Sequence, residues 1–248
     1  MPSTNDNLII RTYWEGSPFS NLEILSIKSF ILNGHQVFIY TYDKSIKSFD
    51  KDMILRDASE IVPEEHRTRI KKVMPSIFSD VFRYHLLHEL GGWWMDLDIV
   101  LLKPITTEDP IVISSYIRKR ELGTQGINNS PLKISKGHAL SKACLEKAES
   151  MNLERAWHTQ TAGPLLAEEV SRLGLNNFVV SPEIYSPIGS WEAHRVVEPG
   201  FGFNQITRNT VSVHLFNTTW SFGRKIDKNG KHHPDSLYEW LKKKYNVN

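Results

Sequence analysis

Several features that would define a protein class at once are missing from this 248-residue sequence. It has one cysteine, Cys144, so no disulfide can form within the chain and a reducing compartment is expected. No run approaches the roughly 18 apolar residues that a membrane-spanning helix needs. Residues 1–14 lack the basic-then-apolar layout of a signal peptide. We therefore expect a cytoplasmic protein, or one that touches the inner face of a membrane only peripherally.

Strong charge, internal repeats and low-complexity segments are also absent. The net charge of +2 is too small to indicate a nucleic-acid partner, so we expect none. Hydrophobic residues make up 40% of the chain and charged residues 23%, which is typical of a globular protein that buries a substantial core. Composition thus indicates an ordinary soluble globular protein.

Short strands and helices alternate along the chain, which predicts the α/β class. The apolar run at 8–10 opens a strand, residues 18–33 have helical apolar spacing, and 36–40 form a second strand. Such a unit of about 30 residues is typical of a right-handed parallel crossover. We expect a solvated connection over 43–75, with Ser76 or Ser79 capping the next helix. Later strands are predicted at 111–115, 127–130, 178–180 and 211–215, helices at 137–150 and 164–173, and an irregular loop at 181–189.

The stretch over residues 79–104 combines a helix, a glycine pair and two aspartates. Gly91-Gly92 ends the helical pattern, and a buried strand follows that ends around Asp96 and Asp98. Side chains two apart in a strand share a face, which predicts that both carboxylates point the same way. Neighbouring carboxylates repel unless a cation lies between them, and oxygen ligands suit Mg²⁺ or Mn²⁺. A solvated strand end with two unrelated acids is the alternative.

Asp80 and Arg83 lie three residues apart on the preceding helix, so they share a face and can pair. One interpretation is an ordinary surface ion pair. The other is a preorganised pair that the Gly91-Gly92 turn sets beside the two aspartates.

The whole constellation reads S-D-x-x-R-Y-x-x-L-x-x-x-G-G-x-W-x-D-x-D over residues 79–98. It resembles the glycosyltransferase family with the sugar-binding region containing the DXD motif, which includes bacterial capsular-polysaccharide transferases, yeast initiating mannosyltransferases and glucosylating clostridial toxins. The similarity extends to W-x-G at 14–16, T-A-G-P at 161–164, E-x-Y-x-P at 183–187 and the closing H…T-W segment at 214–220. Trp94 stands where relatives often have Tyr, and Thr219 where they usually have Ser.

The resemblance implies a GT-A fold, a Rossmann-like sandwich with a mixed central sheet flanked by helices, over residues 1–222. It also implies a nucleotide-sugar donor, UDP- or GDP-linked, and a divalent cation, Mn²⁺ or Mg²⁺. The implied activity is hexosyl transfer to a glycan or lipid-linked glycan acceptor in bacterial-type polysaccharide synthesis, such as capsule or lipopolysaccharide. Relatives retain the anomeric configuration, so retention is expected here.

Residue roles carry over from the same resemblance. Asp98 would bind the metal, with His214 as a further ligand, and Asp96 would lie between metal, ribose and sugar. Asp80 and Arg83 would hold sugar hydroxyls. The remaining expected contacts are Trp14 on the base, Asn129 on the sugar, Thr219 and Trp220 over the diphosphate and glycosidic oxygen, and Gly163 and Pro164 at the acceptor side of the cleft. Asp80, Arg83, Asp96 and Trp220 form the expected catalytic set.

Two other classes compete with the transferase hypothesis. A metal-dependent phosphohydrolase or nucleotidyltransferase would need a water-activating base or a loop such as G-x-x-x-x-G-K-[ST], and the sequence offers neither. A non-catalytic carbohydrate-binding protein could use the seven tryptophans, but it would have little use for paired carboxylates beside an arginine.

The tail over 223–248 predicts a turn and an amphipathic helix packed on the main domain. Asp235 is the expected N-cap, and Lys242, Lys243 and Lys244 form a basic face. A solvated lysine face is the first interpretation. Contact with an anionic membrane or a lipid-linked phosphate is the second.

Overall fold

The computed structural model describes residues 8–16, 18–70, 75–119, 124–152, 160–221 and 224–248. Over these residues the chain forms a six-stranded sheet and a separate two-stranded sheet, with helices around them. The strands are Ile9–Tyr13 (β1), Gln36–Thr41 (β2), Met53–Asp57 (β3), Gly92–Trp94 (β4), Ile99–Leu101 (β5), Ile111–Lys119 (β6), Thr124–Ile134 (β7) and Ser212–His214 (β8). The helices are Asn21–Leu32 (α1), Glu64–Ile70 (α2), Pro75–Glu89 (α3), Ala139–Ser150 (α4), Gly163–Arg172 (α5), Pro182–Tyr185 (α6), Asn217–Ser221 (α7) and Leu237–Lys244 (α8).

The central sheet has the strand order β3-β2-β1-β4-β7-β6. The first four strands are parallel, whereas β7 and β6 are antiparallel to their neighbours. Consecutive tryptophans on β4 face opposite sides: Trp94 packs in the cluster with α3, α4 and α5, and Trp93 in the cluster with α1. The predicted α/β class with a mixed central sheet flanked by helices is confirmed.

The first β–helix–β unit forms as the apolar spacing predicts, with β1 and β2 paired in parallel. Ser20 caps α1, and a reciprocal bond from its backbone N–H to the Glu23 carboxylate completes a capping box. Gly34 follows the helix at φ +89°, a conformation that glycine adopts without strain. Local sequence chemistry therefore sets both ends of α1.

The prediction of a plain connection over 43–75 is wrong. Residues Met53–Asp57 form β3, parallel to β2 at the edge of the sheet, and Glu64–Ile70 form α2. Only the first residue of β3 is fully buried, because an edge strand has one paired side. Its apolar run, Met53-Ile54-Leu55, is only three residues long and is followed by the charged Arg56 and Asp57, so the segment lacks the length of a typical strand pattern.

Helix α3 runs from Pro75 to Glu89, so the central helix is confirmed. Ser76 and Ser79, the two predicted N-caps, both lie inside it, so that prediction is wrong. Phe82 and Leu86 are fully buried on one face of α3. The other buried face of this helix carries Asp80 and Arg83.

Several elements of the second half differ from the predicted ones. The strands expected at 111–115 and 127–130 are longer and form the hairpin β6–β7. The strand expected at 178–180 is a 3₁₀ turn at Asn176–Phe178 followed by a single bridge at Val179. The loop at 181–189 contains the short helix α6. Short polar segments gain these shapes from neighbouring strands, which the local pattern does not record.

The small sheet pairs β5 with β8 and joins two segments distant in sequence. Ile99 is the register partner of His214, and the Leu215 backbone N–H donates to the Asp98 carbonyl oxygen at 2.8 Å. This pairing brings His214 next to Asp98.

Helix α8 packs on the body of the protein through Leu237, Tyr238 and Leu241, which share a core cluster with α1 and β8. Its N-cap is Ser236, not the predicted Asp235. The division between residues 222 and 223 stays a prediction, since both lie outside the described residues. None of the described helices is long and apolar enough to cross a bilayer.

Candidate active site at the DXD turn

The two aspartates lie in a turn between β4 and β5. Strand β4 ends at Trp94, and the Ile99 backbone N–H donates to the Asp96 carbonyl oxygen at 3.2 Å. The prediction that strand alternation orients the carboxylates is therefore wrong. Both still face the same cavities, while Leu97 is buried in the core.

The glycine pair before the turn is required by geometry. Gly91 has φ +69° and Gly92 φ +84°, both in the left-handed region. A Cβ on Gly91 would lie 2.3 Å from the Lys136 backbone nitrogen, so no larger residue fits there. The two glycines thus allow the chain to pass directly from α3 into β4.

Asp98 is held from two sides by groups near the end of β8. Its Oδ2 atom accepts the Asn217 backbone N–H at 2.8 Å, and its Oδ1 atom lies 3.2 Å from His214 Nε2. On the other side of the imidazole ring, Nδ1 lies 2.9 Å from the Asn128 amide. Phe216 stacks on the ring at 3.8 Å between centroids. The imidazole is thus fixed by its neighbours, with Nε2 directed at Asp98.

The electrostatics keep Asp98 ionised. Burial alone would raise the pKa of its carboxyl, but His214 and the Asn217 N–H outweigh burial and lower that pKa. Although His214 is close, Asp98 Oδ1 is buried and has no aligned hydrogen-bond donor among the described residues. A buried carboxylate oxygen in that state costs free energy unless a cation meets it.

These features fit a divalent cation. The Asp98 carboxylate and the His214 imidazole lie together there, and the Asp96 carboxylate lines the same two cavities. The Asn128 amide can meet Nδ1 with its N–H or its carbonyl end, so Nε2 can face Asp98 either protonated or bare. A bare Nε2 is the form that ligates a metal.

Asp96 is anchored through one carboxylate oxygen. Its Oδ1 atom accepts from Arg83 Nη2 at 2.9 Å and from the Trp94 indole N–H at 2.8 Å. Its backbone N–H donates to Ser130 Oγ at 2.8 Å. Within the described chain, Oδ2 has no protein donor and is left for a ligand. Trp94 therefore supplies a hydrogen bond from the position where relatives often have tyrosine.

Asp80 and Arg83 lie beneath the turn and not on the cavity wall. Arg83 Nη1 and the Asn129 amide donate to Asp80 Oδ1 at 2.9 and 2.8 Å, and Thr161 Oγ1 donates to Oδ2 at 2.8 Å. Burial raises the pKa of Asp80 in spite of these partners. The Arg83 guanidinium lies 4.8 Å from the centre of the Trp94 ring.

Two cavities meet at the turn. The larger, about 790 Å³, and the smaller, about 210 Å³, share Asp96, Asp98 and Thr218 as lining residues. The pair of carboxylates therefore stands at the junction between two binding spaces.

The smaller cavity lies against the end of β1. Trp14 lines it and packs on Phe19 with ring centroids 5.2 Å apart, while its buried indole N–H has no partner among the described residues. Beside it, Tyr13 donates to Glu15 at 2.9 Å, and Glu15 forms an ion pair with Arg67 of α2. The tryptophan predicted to contact a base thus lines the cavity with an unused donor.

The larger cavity contains most of the remaining predicted site residues. Gly163 and Pro164 begin α5 at its edge, and a Cβ on Gly163 would lie 2.4 Å from the Ile127 carbonyl oxygen. Asn129 and Thr219 line its wall, and Thr219 Oγ1 donates to the Phe216 carbonyl oxygen at 2.8 Å. The structure thus brings Asn129, Gly163, Pro164, Asp98, His214 and Thr219 around one space.

Three predicted contacts differ from the structure. Trp220 is fully buried, and its indole N–H donates to the Leu215 carbonyl at 2.9 Å, so it does not cover the cavity. It packs on Tyr238 of α8, with ring centroids 4.9 Å apart. Asp80 and Arg83 are bonded to protein groups behind the wall, so the structure does not show them facing sugar hydroxyls.

Sequence reasoning missed several residues of the site. Asn128 orients His214, Ser130 holds the Asp96 backbone, and Asn217 holds Asp98. Tyr116 and Phe216 add aromatic rings to the large cavity, with centroids 5.9 Å apart. The run Asn128-Asn129-Ser130 was the available signal, because adjacent small polar residues in a predicted inner strand can serve both faces.

Parts of this chain are similar to a known family and to solved structures. Residues 28–118 match the family described as glycosyltransferase sugar-binding region containing DXD motif. The structure titled "PaToxG Glycosyltransferase" is similar with a TM-score of 0.53 at 16% identity, and the match covers 68% of this chain and 71% of that one. A transferase variant with two cysteine-to-serine substitutions matches with a TM-score of 0.44 at 12% identity, covering 70% and 86%. No curated protein sequence matches the chain.

The matched region contains both aspartates of the turn, and the fold is shared with a glycosyltransferase. The matched region and the shared fold together support a glycosyltransferase. Residues 28–118 match the sugar-binding region of that class, and Asp96-Leu97-Asp98 is the D-x-D of this region, whose two aspartates line both cavities.

Proposed function

We propose that the protein is a metal-dependent transferase that moves a hexose from a nucleotide sugar to a glycan acceptor. The observation that carries this proposal is the buried Oδ1 atom of Asp98 at the junction of two cavities, for which the described residues provide no aligned hydrogen-bond donor. Asp98, His214 and Asp96 Oδ2 are the proposed ligands, and Mn²⁺ or Mg²⁺ the ion. Such an ion neutralises the charge that develops on a departing diphosphate.

The two cavities are proposed to hold different parts of the donor. The nucleoside is proposed for the 210 Å³ space, where Trp14 offers a ring face and an unpaired N–H. UDP and GDP both carry a base that can stack there. The sugar and the acceptor are proposed for the 790 Å³ space. Asn129 and Thr219 offer polar groups there, and Tyr116 and Phe216 offer rings that suit the faces of sugars.

Retention of the anomeric configuration is part of the proposal. Among the described residues, the only carboxylates that line the large cavity are Asp96 and Asp98, and both are assigned to the metal. None of the described residues supplies a third acid there to deprotonate an acceptor on the opposite face. We infer that the acceptor oxygen bonds to the anomeric carbon as the bond to the phosphate oxygen breaks, and that the departing phosphate takes the acceptor proton.

A panel of nucleotide sugars tests this function directly. One UDP- or GDP-sugar is expected to be hydrolysed or transferred in the presence of Mn²⁺, with turnover lost in EDTA. The anomeric proton coupling in the NMR spectrum of the product should match that of the donor. The nucleoside diphosphate (UDP or GDP) with Mn²⁺ should raise the melting temperature of the protein. Stabilisation by free sugar alone would instead indicate a binding protein.

We also propose that the acceptor is lipid-linked, as in bacterial-type capsule or lipopolysaccharide synthesis, and that α8 meets an anionic membrane from the cytoplasmic side. Trp240 and Phe203 are exposed with their rings 6.0 Å apart, and the exposed Lys243 and Lys244 lie close in sequence. An aromatic pair beside lysines suits the headgroup region. Lys242 does not contribute, because it is buried and bonded to Glu239.

Vesicle sedimentation measures this contact. The Trp240→Ser/Lys243→Glu variant should lose binding to anionic vesicles at low salt. Lys51→Glu, an equal charge change at an exposed site elsewhere, should keep it. Equal binding by both variants would rule out α8 as the membrane contact.

A further inference from the structure

A second polar cluster lies outside both cavities, where three helices meet. His66 comes from α2, His85 from α3 and Glu149 from the last turn of α4. The Nε2 atoms of both histidines approach the same carboxylate oxygen, Glu149 Oε1, at 3.9 Å for His66 and 3.0 Å for His85. One ligand atom from each residue lies within 4.8 Å of the other two.

These separations are close to those of a filled zinc site. Bonds of about 2.0–2.1 Å at a tetrahedral angle place neighbouring ligand atoms roughly 3.3 Å apart. The two distances to Glu149 lie on either side of that value. The observed separations are therefore close to those that one bound ion requires.

The contacts and exposure of the three side chains favour an ordered site that an ion can reach from solvent. The His85 side chain is mostly buried, and its bond to Glu149 already fixes its orientation. The His66 ring meets the His85 ring edge-on, with centroids 6.0 Å apart. The His66 and Glu149 side chains are 37% and 38% exposed, so an ion has a path in and water can fill the fourth position.

We propose that His66, His85 and Glu149 bind a Zn²⁺ ion that is separate from the DXD turn. Two imidazoles and one carboxylate are the ligand set that zinc takes in proteins, whereas Mn²⁺ and Mg²⁺ prefer oxygen ligands. Ligand chemistry therefore separates the two sites. The zinc holds α2 against α3 and α4.

The position of α2 gives the zinc a structural consequence. Arg67, the residue after His66, forms the ion pair with Glu15 and lies 4.5 Å from the centre of the Tyr42 ring. Glu15 adjoins Trp14, which lines the small cavity. Fastening α2 through His66 thus stabilises the segment that supports this wall.

The alternative is a plain hydrogen-bonded pair between His85 and Glu149 with His66 beside it. Metal-free Asp98→Asn protein, in which the turn is disabled, is titrated with Zn²⁺ by calorimetry and with Co²⁺ by visible absorption. One equivalent of Zn²⁺ should bind and raise the melting temperature. Co²⁺ should give the strong visible bands of a four-coordinate nitrogen and oxygen site.

Variants in the same background assign the ligands. His66→Ala and His85→Ala should each weaken Zn²⁺ binding by at least about tenfold, since losing even an outer partner of a metal ligand costs about 10–100-fold. Glu149→Gln keeps a hydrogen-bonding oxygen but removes the charge, and it should also weaken binding. His233→Ala, at an exposed histidine of the tail, should leave binding unchanged.

His66 provides the decisive variant because its half-exposed side chain can be removed with little effect on the core. Circular dichroism confirms that each variant is folded. Failure of the Asp98→Asn protein to bind Zn²⁺ would overturn the proposal. Binding that is unaffected in folded His66→Ala protein would overturn it as well.

Discussion

Asp98→Asn is expected to abolish transfer while leaving the protein folded. The substitution removes the charge that a cation at Oδ1 requires, but it keeps an oxygen that can accept the Asn217 backbone N–H. Loss of a group behind a metal ligand already costs about 10–100-fold in metal affinity. We therefore expect transfer to fall by more than about a hundredfold, with Mn²⁺-dependent nucleotide binding lost in parallel.

The measurement combines turnover of the donor found in the nucleotide-sugar panel with calorimetric titration of Mn²⁺ and the nucleoside diphosphate. Glu108→Gln, the same chemical change at an exposed acid, is the matched control and should retain full activity. Wild-type activity in Asp98→Asn protein, or undiminished activity of the wild type in EDTA, would remove the turn from the mechanism.

Removal of His214 would not separate a loss of metal binding from a change in the cavity wall. Its ring is stacked on Phe216 and bonded to Asn128, so a substitution also disturbs the wall of the large cavity. Asp98 is the better probe because asparagine has nearly the same shape. The result then reports on charge.

The sequence supports a prediction of this site where its parts are close along the chain. Asp80, Arg83, Asp96 and Asp98 fall within one short segment, and helical spacing predicts the observed Asp80–Arg83 pair. Strand alternation failed for the aspartates because β4 ends at Trp94 and a turn follows. Short strands end where pairing partners end, and a single sequence does not state those partners.

Contacts that depend on register lie beyond local patterns. Ser130 reaches Asp96 because β7 pairs with β4, and Asn128 reaches His214 because β8 pairs with β5. Trp220 illustrates the same limit, since α8 covers it and removes it from the cavity. The cluster of His66, His85 and Glu149 joins the consecutive helices α2 and α3 to the distant helix α4, and no spacing motif connects the three residues.

Arg83 is expected to give the second large effect, because it connects the two carboxylates on either side of it. Its Nη1 and Nη2 atoms donate to Asp80 and Asp96, each at 2.9 Å, and its side chain is only 3% exposed. Arg83→Ala leaves Asp80 buried without a cation. Breaking a buried pair in this way typically costs about 3–5 kcal/mol in the free energy of unfolding.

Urea unfolding measures that loss. Arg56→Ala is the matched control, since it removes an arginine whose partner is Glu60 in an exposed pair. An exposed pair contributes about 0–1 kcal/mol, so this variant should remain close to wild-type stability. Similar stability losses for Arg56→Ala and Arg83→Ala would contradict the buried role assigned to Arg83.

Arg83→Lys separates positioning from stability. Lysine keeps the positive charge and recovers part of the lost free energy, but a single ammonium group does not reproduce the planar fork that reaches both carboxylates. Asp96 then keeps only the Trp94 indole on its Oδ1 atom, so its free oxygen is no longer held toward the cavity junction. We expect kcat to fall at least about tenfold with little change in KM for the donor, as for an interaction that acts in the transition state. If Arg83 were merely structural, the lysine variant would regain turnover in step with its stability.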